Sequence, residues 1–181
     1  MRIISGIHKG RRLTAPKKLP VRPTTDMAKE ALFNILNNRY YFDEISVLDL
    51  FAGTGNISYE FASRGTDQIS AVDSNYGCIQ FISDTSEVLK MDISGIKSDV
   101  FSYLEKTKAK FDIIFADPPY TIPLEEFERI PTLVFENDLL LDKGILIIEH
   151  GNQTQLSHLD YFSEKRKYGG SVFSFFENRE D

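Results

Sequence analysis

The sequence predicts an α/β fold: a mostly parallel, seven-stranded twisted sheet covered by helices on both faces and closed by an antiparallel hairpin, with a small β-hairpin and helix appended at the N-terminus. Three observations predict it. Short apolar runs alternate with segments of helical period. A glycine loop, Phe51-Ala52-Gly53-Thr54-Gly55-Asn56, joins the first apolar run to a helix. The last two strand-like segments are separated by Gly169-Gly170, a hairpin turn signal.

The first 14 residues read as two short strands, Arg2 to Ser5 and Arg11 to Thr14, joined through Gly6 and Gly10. Pro16, Pro20 and Pro23 make Ala15 to Thr24 an extended connector. Thr25 or Asp26 can cap the next helix, whose apolar positions Ala28, Ala31, Leu32, Ile35 and Leu36 recur at helical spacing, so one face should pack on the main body. Residues 1–40 are therefore expected as a docked appendage and residues 41–181 as the main domain.

Ile45 to Leu50 is the first buried strand, and the glycine loop after it leads into a helix from Ile57 to Ser63 closed by Gly65. Glycines let a backbone approach a ligand, and the helix N-terminus favours negative charge such as a carboxylate or phosphate. Ser58 stands where the dinucleotide fingerprint has its third glycine, which weakens a pyrophosphate reading. Gln68 to Val72 is the second strand and ends in Asp73, 20 residues beyond Gly53, a spacing that suits a carboxylate taking ribose hydroxyls. A helix follows from about Asn75 to Lys90, with Cys78, Ile82 and Leu89 on its inner face, so Cys78 reads as core. Gly95 to Val100 reads as a third strand; Asp99 and the Val100 backbone there are placed to read an adenine edge, or Asp99 caps a helix from Phe101 to Lys108.

Phe111 to Ala116 is a short, bounded apolar run, the central strand, and Asp117-Pro118-Pro119-Tyr120 follows at its C-terminal end. Two prolines make a stiff corner whose carbonyls escape a local helix. Asp117 and the Pro118 carbonyl can then accept two hydrogens of a planar amine while Tyr120 stacks on its face. Leu124 to Glu136 is helical but interrupted by Pro131, which predicts a bend or two short helices. Gly144 to Glu149 is another buried strand, and Tyr161 to Tyr168 pairs with Val172 to Glu177. Glu149 reads first as structural, with a substrate-facing role as the alternative, while His8 belongs to the basic face and His150 and His158 to the surface or loops.

Composition narrows the setting. With 181 residues and one cysteine, the chain can bury a sizeable core and has no intramolecular disulfide. No metal is expected, because neither Cys78 nor the three histidines show ligand spacing. No stretch is apolar enough to span a bilayer and Met1 to Gly6 lacks the core of a signal peptide, so a cytoplasmic location is expected. Arg2, Lys9, Arg11, Arg12, Lys17, Lys18 and Arg22 stand without an acid in the first 25 residues, so the overall −6 leaves −13 on the rest. An acidic body with a basic segment can hold a phosphate backbone at one edge.

The three strand ends describe a ligand with an adenosine and a small charged moiety but no diphosphate. S-adenosylmethionine fits, with its amino and carboxylate groups along the glycine loop and Asp49 near the ammonium. The acceptor's amino nitrogen would face the methyl from the Asp117 corner, and a nucleobase amine must be unpaired or flipped to enter.

Four blocks in order, Arg2-Ile3-Ile4-Ser5-Gly6 with Lys9-Gly10-Arg11-Arg12-Leu13, Val21 to Asp26 with Lys29-Glu30-Ala31-Leu32-Phe33-Asn34, Leu48 to Gly55, and Asp117 to Tyr120, resemble the bacterial RsmD family of 16S ribosomal RNA (guanine-N2)-methyltransferases. The resemblance covers almost the whole chain. It implies a class I, Rossmann-like methyltransferase fold, S-adenosylmethionine as donor, and the 2-amino group of one guanine in 16S ribosomal RNA, free or in a small-subunit particle, as acceptor. On this reading Asp117, Pro118, Pro119 and Tyr120 form the transfer corner, and Asp49, Phe51, Gly53, Gly55, Asp73, Asp99 and Val100 hold the cofactor. Lys9, Arg11, Arg12, Arg22 and Thr24 hold RNA, and a monomer is expected. Two positions depart from the family pattern: Met27 stands where many members carry arginine, and Ser58 replaces a small, glycine-like position. The rival readings are an amino methyltransferase for DNA adenine or cytosine or for glutamine, a nicotinamide-dependent dehydrogenase, and a non-catalytic RNA-binding module. Against the first stand the absence of a target-recognition domain and a corner that begins with Asp117 where glutamine enzymes carry asparagine.

Overall fold

The computed structural model describes residues 1–180. Its strands are β1 (Ser46–Leu50), β2 (Gln68–Asp73), β3 (Ile93–Lys97), β4 (Phe111–Ala116), β5 (Leu140–His150), β6 (Phe162–Tyr168) and β7 (Ser171–Phe176). They form one sheet in the order β3-β2-β1-β4-β5-β7-β6, with only β7 and its two pairings antiparallel. The chain winds outward from β1 to β3, then returns to place β4 on the other side of β1. Ligands of open α/β sheets bind at such a reversal, outside the strands' C-terminal ends.

The helices are α1 (Asp26–Asn37), α2 (Asn56–Ser63), α3 (Tyr76–Leu89), α4 (Val100–Lys106) and α5 (Leu124–Glu136). Thr25 caps α1 by accepting from the Ala28 N–H at 3.3 Å. Strand residues alternate between faces, and the two faces have separate cores. Val47, Ile113, Phe115, Ile145 and Ile147 pack with Leu32, Phe33 and Leu36 of α1 and Phe61 of α2. Leu48, Ile114, Leu146 and Ile148 pack with Leu104 of α4 and Phe127, Ile130 and Val134 of α5. By the same alternation Asp49, Asp117 and Glu149, two residues beyond Val47, Phe115 and Ile147, project to the face that carries α1 and α2.

Of the boundaries that differ from the sequence reading, three matter most here. The third strand stops at Lys97, because Asp99 is spent as the N-cap of α4, accepting from the Ser102 N–H at 2.9 Å. Helix α5 runs unbroken through Pro131. The ring removes one backbone bond, but Ile130, Pro131 and Val134 are buried, and that packing holds the helix together. The N-terminal strands shrink to a single bridge between Arg2 and Arg12, supported by Ile3 N–H to Arg11 O (2.9 Å) and Gly10 N–H to Ile3 O (2.8 Å).

A buried polar cluster docks this hairpin. Glu60 of α2 accepts from the Ile4 N–H at 2.8 Å and the Ser5 N–H at 3.1 Å, and pairs with Arg64 at 2.9 Å. Lys29, fully buried on α1, lies 3.4 Å from Glu60 and donates to the Arg2 carbonyl at 2.5 Å and to Asn56 Oδ1 at 2.8 Å. Burial lowers the Lys29 pKa, against the pull of Glu60. Gly6, at φ +87°, lies so close to α2 that a Cβ there would stand 1.9 Å from the Ser63 carbonyl oxygen. Gly6→Ala is therefore expected to lift the hairpin, at a cost of ~2 kcal/mol. Limited proteolysis checks this, with new cleavage confined to the first 20 or so residues.

Candidate active site

The C-terminal ends of β1, β2, β4 and β5 open into one cavity of about 430 Å³, a size suited to a small-molecule ligand. Its lining brings together Asp49, Phe51, Gly53, Asp73, Asp117, Pro118, Pro119 and Tyr120 from the expected set. Arg22 and Thr24 join them, because the connector from Pro20 to Thr25 forms the outer wall. That wall is tied at both sides. The Thr24 hydroxyl donates to Glu149 Oε2 at 2.6 Å, and the Thr24 carbonyl accepts from Asn56 Nδ2 at 3.2 Å.

The inner end is built by the glycine loop. Phe51 and Gly53 have φ of 55° and 56°, conformations that turn the chain sharply after β1. Asp73 fixes the loop from the neighbouring strand: its Oδ2 accepts from the Gly53 N–H at 2.9 Å and its Oδ1 from the Asn75 N–H at 2.8 Å. Each oxygen keeps a free lone pair for a ligand hydroxyl. Asp49 is 1% exposed and accepts from the Ser58 hydroxyl at 2.7 Å. Burial raises its pKa to about 7, an effect that the Ser58 bonds only partly offset. A buried carboxylate with no cation beside it fits a ligand ammonium, and Asp73 at the same rim fits a ribose, so this set of groups suits S-adenosylmethionine. Ser58, which departs from the family pattern, serves here as the partner of Asp49.

At the other end, Asp117 and Glu149 stand on adjacent parallel strands, one residue past the register pair Ala116 and Ile148. Burial raises the Asp117 pKa well above the ordinary carboxylate range, with further contributions from the Glu149 and Asp49 charges. Among the described residues no donor reaches the Pro118 carbonyl, whereas the Pro119 carbonyl accepts from the Ile122 N–H at 3.2 Å. Only one of the two proline carbonyls therefore remains available. The Arg22 guanidinium lies 5.1 Å from the Tyr120 ring centroid, a cation–π contact that covers the aromatic face turned to the connector.

Several expected residues lie elsewhere. Asp99 and Val100 are not in the lining: the Asp99 carboxylate caps α4, and Val100 is buried among core side chains. Gly55 stands behind the loop, where a Cβ would meet Tyr59 at 2.8 Å and Ile82 at 2.9 Å, so it makes room for packing. Lys9, Arg11 and Arg12 are exposed on the hairpin. Arg2 and Arg12 line a second hollow that shares Pro23, Thr24 and Thr25 with the cavity wall. His150 is not on the surface: it is 2% exposed, with Nε2 2.7 Å from Ser174 Oγ. Cys78 does reach the cavity, but burial pushes its thiol up to about 11, which leaves it unreactive. Ser171 and Asn56 are lining residues that the sequence reading did not single out, and Glu149, read first as structural with a substrate-facing role as the alternative, lines the cavity with them. Glu149 was the one with a signal, a carboxylate ending a buried strand next to the corner.

The sheet order, the reversal at β1 and β4 and a crevice of this donor set define a class I S-adenosylmethionine-dependent methyltransferase. A sequence model of the family described as "Conserved hypothetical protein 95" matches residues 1–177, and the chain belongs to this family, the RsmD family. YlbH of Bacillus subtilis is 32% identical over 187 residues, covering 99% of this chain and 100% of its own length. Ribosomal RNA small subunit methyltransferase D of Escherichia coli K12 is 30% identical over 150 residues, covering 82% of this chain and 74% of its own. Among solved structures, yhhF from Escherichia coli matches with a TM-score of 0.84 at 24% identity, covering 100% of this chain and 99% of its own. The Thermus 16S rRNA N2 methyltransferase RsmC, in complex with AdoMet and guanosine, matches at 0.69 and 20% identity over 89% of this chain and 45% of its own; both likenesses bear on the fold. Among the described residues no helix is long and apolar enough to cross a membrane, and no group of side chains could hold a metal ion.

Proposed function

We propose that this protein methylates the exocyclic 2-amino group of a guanine in small-subunit ribosomal RNA. The observation that carries the reading is the half-buried Asp117 carboxylate beside the unpaired Pro118 carbonyl, in the same cavity as Asp49 and Asp73. S-adenosylmethionine supplies the electrophilic methyl group. A base amine is a poor nucleophile because its lone pair is delocalised into the ring. Asp117 and the Pro118 carbonyl accept its two hydrogens, hold the nitrogen in line and favour a geometry that frees the lone pair. Asp117 takes the proton that the amine sheds. Tyr120 stacks on the base, which enters unpaired or flipped. Asp49 holds the cofactor's ammonium, and Asp73 its ribose.

The RNA substrate is supported by the relatives named as ribosomal RNA methyltransferases and by the basic first 25 residues against an acidic body. Residues 1–40 act as the RNA-contacting appendage: Lys9, Arg11 and Arg12 meet phosphates outside the cavity and Arg22 meets the strand at its mouth, while Thr24, buried with its hydroxyl on Glu149, anchors the wall and does not reach RNA. The protein acts as a monomer. Replacing Arg11 and Arg12 together by alanine is expected to reduce the slope of log affinity against log salt by about 2 and weaken binding to all RNA sequences alike. A slope equal to that of the unaltered protein excludes the hairpin as an RNA contact. The polymer is tested by offering labelled S-adenosylmethionine with small-subunit particles, naked ribosomal RNA and DNA in parallel. Label in the first or second supports the reading; label in DNA alone overturns it.

A further inference from the structure

We propose that Glu149 is the residue that selects the base, its carboxylate accepting the N1–H of guanine while Asp117 accepts from the adjoining 2-amino group. This rests on the guanine reading and goes beyond it by naming what excludes the other amino bases. Asp117 and Glu149 lie side by side at the ends of β4 and β5, on the same face of the sheet, and both line the cavity. Neighbouring strands stand about 4.8 Å apart, so two carboxylates here can address two adjacent donors on one ring edge.

Only guanine offers that edge. Its amine is flanked by a ring N–H, whereas the amine of adenine or cytosine is flanked by a ring nitrogen lone pair. An ionised carboxylate set against a lone pair gains no hydrogen bond and loses its water. Glu149 is held ready as an acceptor. It is 3% exposed; the Thr24 hydroxyl donates to one oxygen at 2.6 Å and the Ser171 hydroxyl to the other at 2.9 Å. A carboxylate offers about four acceptor sites, so with the Thr24, Ser171 and Tyr120 hydroxyls on it one is left for a further donor. Among the described residues no cation lies within ion-pair distance of it. A carboxylate this buried is costly when its nearest cation, Arg22, acts on it only from beyond ion-pair distance, and a tether between Thr24 and Ser171 would be served as well by a neutral amide. Burial pushes against its ionisation, and the Thr24 and Ser171 hydroxyls, the charge of Arg22 and the Tyr120 hydroxyl oppose it.

The test compares guanine with 2-aminopurine, which keeps the 2-amino group but has a lone pair at N1, at the one position the unaltered protein methylates. The unaltered protein should use 2-aminopurine with kcat/KM at least about a hundredfold lower. In Glu149→Gln, whose amide can donate to N1, activity on guanine should fall about 10- to 100-fold while the preference over 2-aminopurine narrows by tenfold or more. Equal use of both bases by the unaltered protein overturns the proposal, whether or not the variant folds. So does a folded, cofactor-binding variant that loses the same factor on each base, the result of a purely structural role. If the unaltered protein yields no N2-methylguanosine, the reading beneath the proposal fails instead.

Discussion

Asp117→Ala loses methyl transfer by at least about a thousandfold while S-adenosylmethionine binds within a few fold of its normal affinity. The separation follows from placement. Asp117 ends β4 at the acceptor side of the cavity, whereas Asp49, Asp73 and the glycine loop occupy the side of β1 and β2. The variant removes a half-buried carboxylate held against the charges of Glu149 and Asp49, so it should stay folded. Tyr120→Ala should lose less, about 10- to 100-fold, because stacking on one base contributes roughly 1–3 kcal/mol. Calorimetric titration of the cofactor beside single-turnover transfer separates the two terms. Loss of cofactor affinity in proportion to activity would contradict this division of labour.

Asp49→Asn moves stability and cofactor affinity in opposite directions. The folded-state pKa of Asp49 is raised from 3.8 to about 7 by burial. The native state therefore holds a proton that the unfolded chain has released, and ionising Asp49 costs stability that is fully lost above pH 7 and regained as pH falls toward 4. The asparagine variant escapes this, and at pH 8 it should be more stable by up to ~4 kcal/mol, with little difference near pH 4. A cation beside Asp49 reverses the preference. Cofactor affinity of the unaltered protein should fall about tenfold per unit as pH drops below about 7. The variant should bind weakly at every pH in that range. Thermal melts and cofactor titrations at pH 5 and pH 8 check both halves.

Much of this architecture is legible in the sequence because it is written in local pattern. Short apolar runs such as Phe111–Ala116 fix the buried strands, and the residues at or just past the C-terminal end of each fall at the sheet's ligand-binding edge. Asp49, Asp73 and Asp117 reach one cavity for that reason. What is not legible depends on contacts between distant segments. The Thr24 to Glu149 bond joins residues 125 apart, and nothing in either neighbourhood signals it. The burial of Lys29 likewise follows only from the packing of α1 against α2, where Glu60 and Asn56 receive it. In sequence the connector joins the hairpin to the first helix within the appendage, yet its anchors make it a wall of the site. Asp99 shows a different limit: one carboxylate after a strand suits both a ligand and a helix cap, and the Ser102 N–H claims it.

The central claim is that this crevice places a methyl on the 2-amino group of guanine. The most direct measurement is nucleoside analysis of small-subunit ribosomal RNA after reaction with labelled S-adenosylmethionine, with the Asp117→Ala variant run alongside. The account predicts label only in N2-methylguanosine, and none from the variant. Label in any other nucleoside, or the same product from the variant, would contradict it.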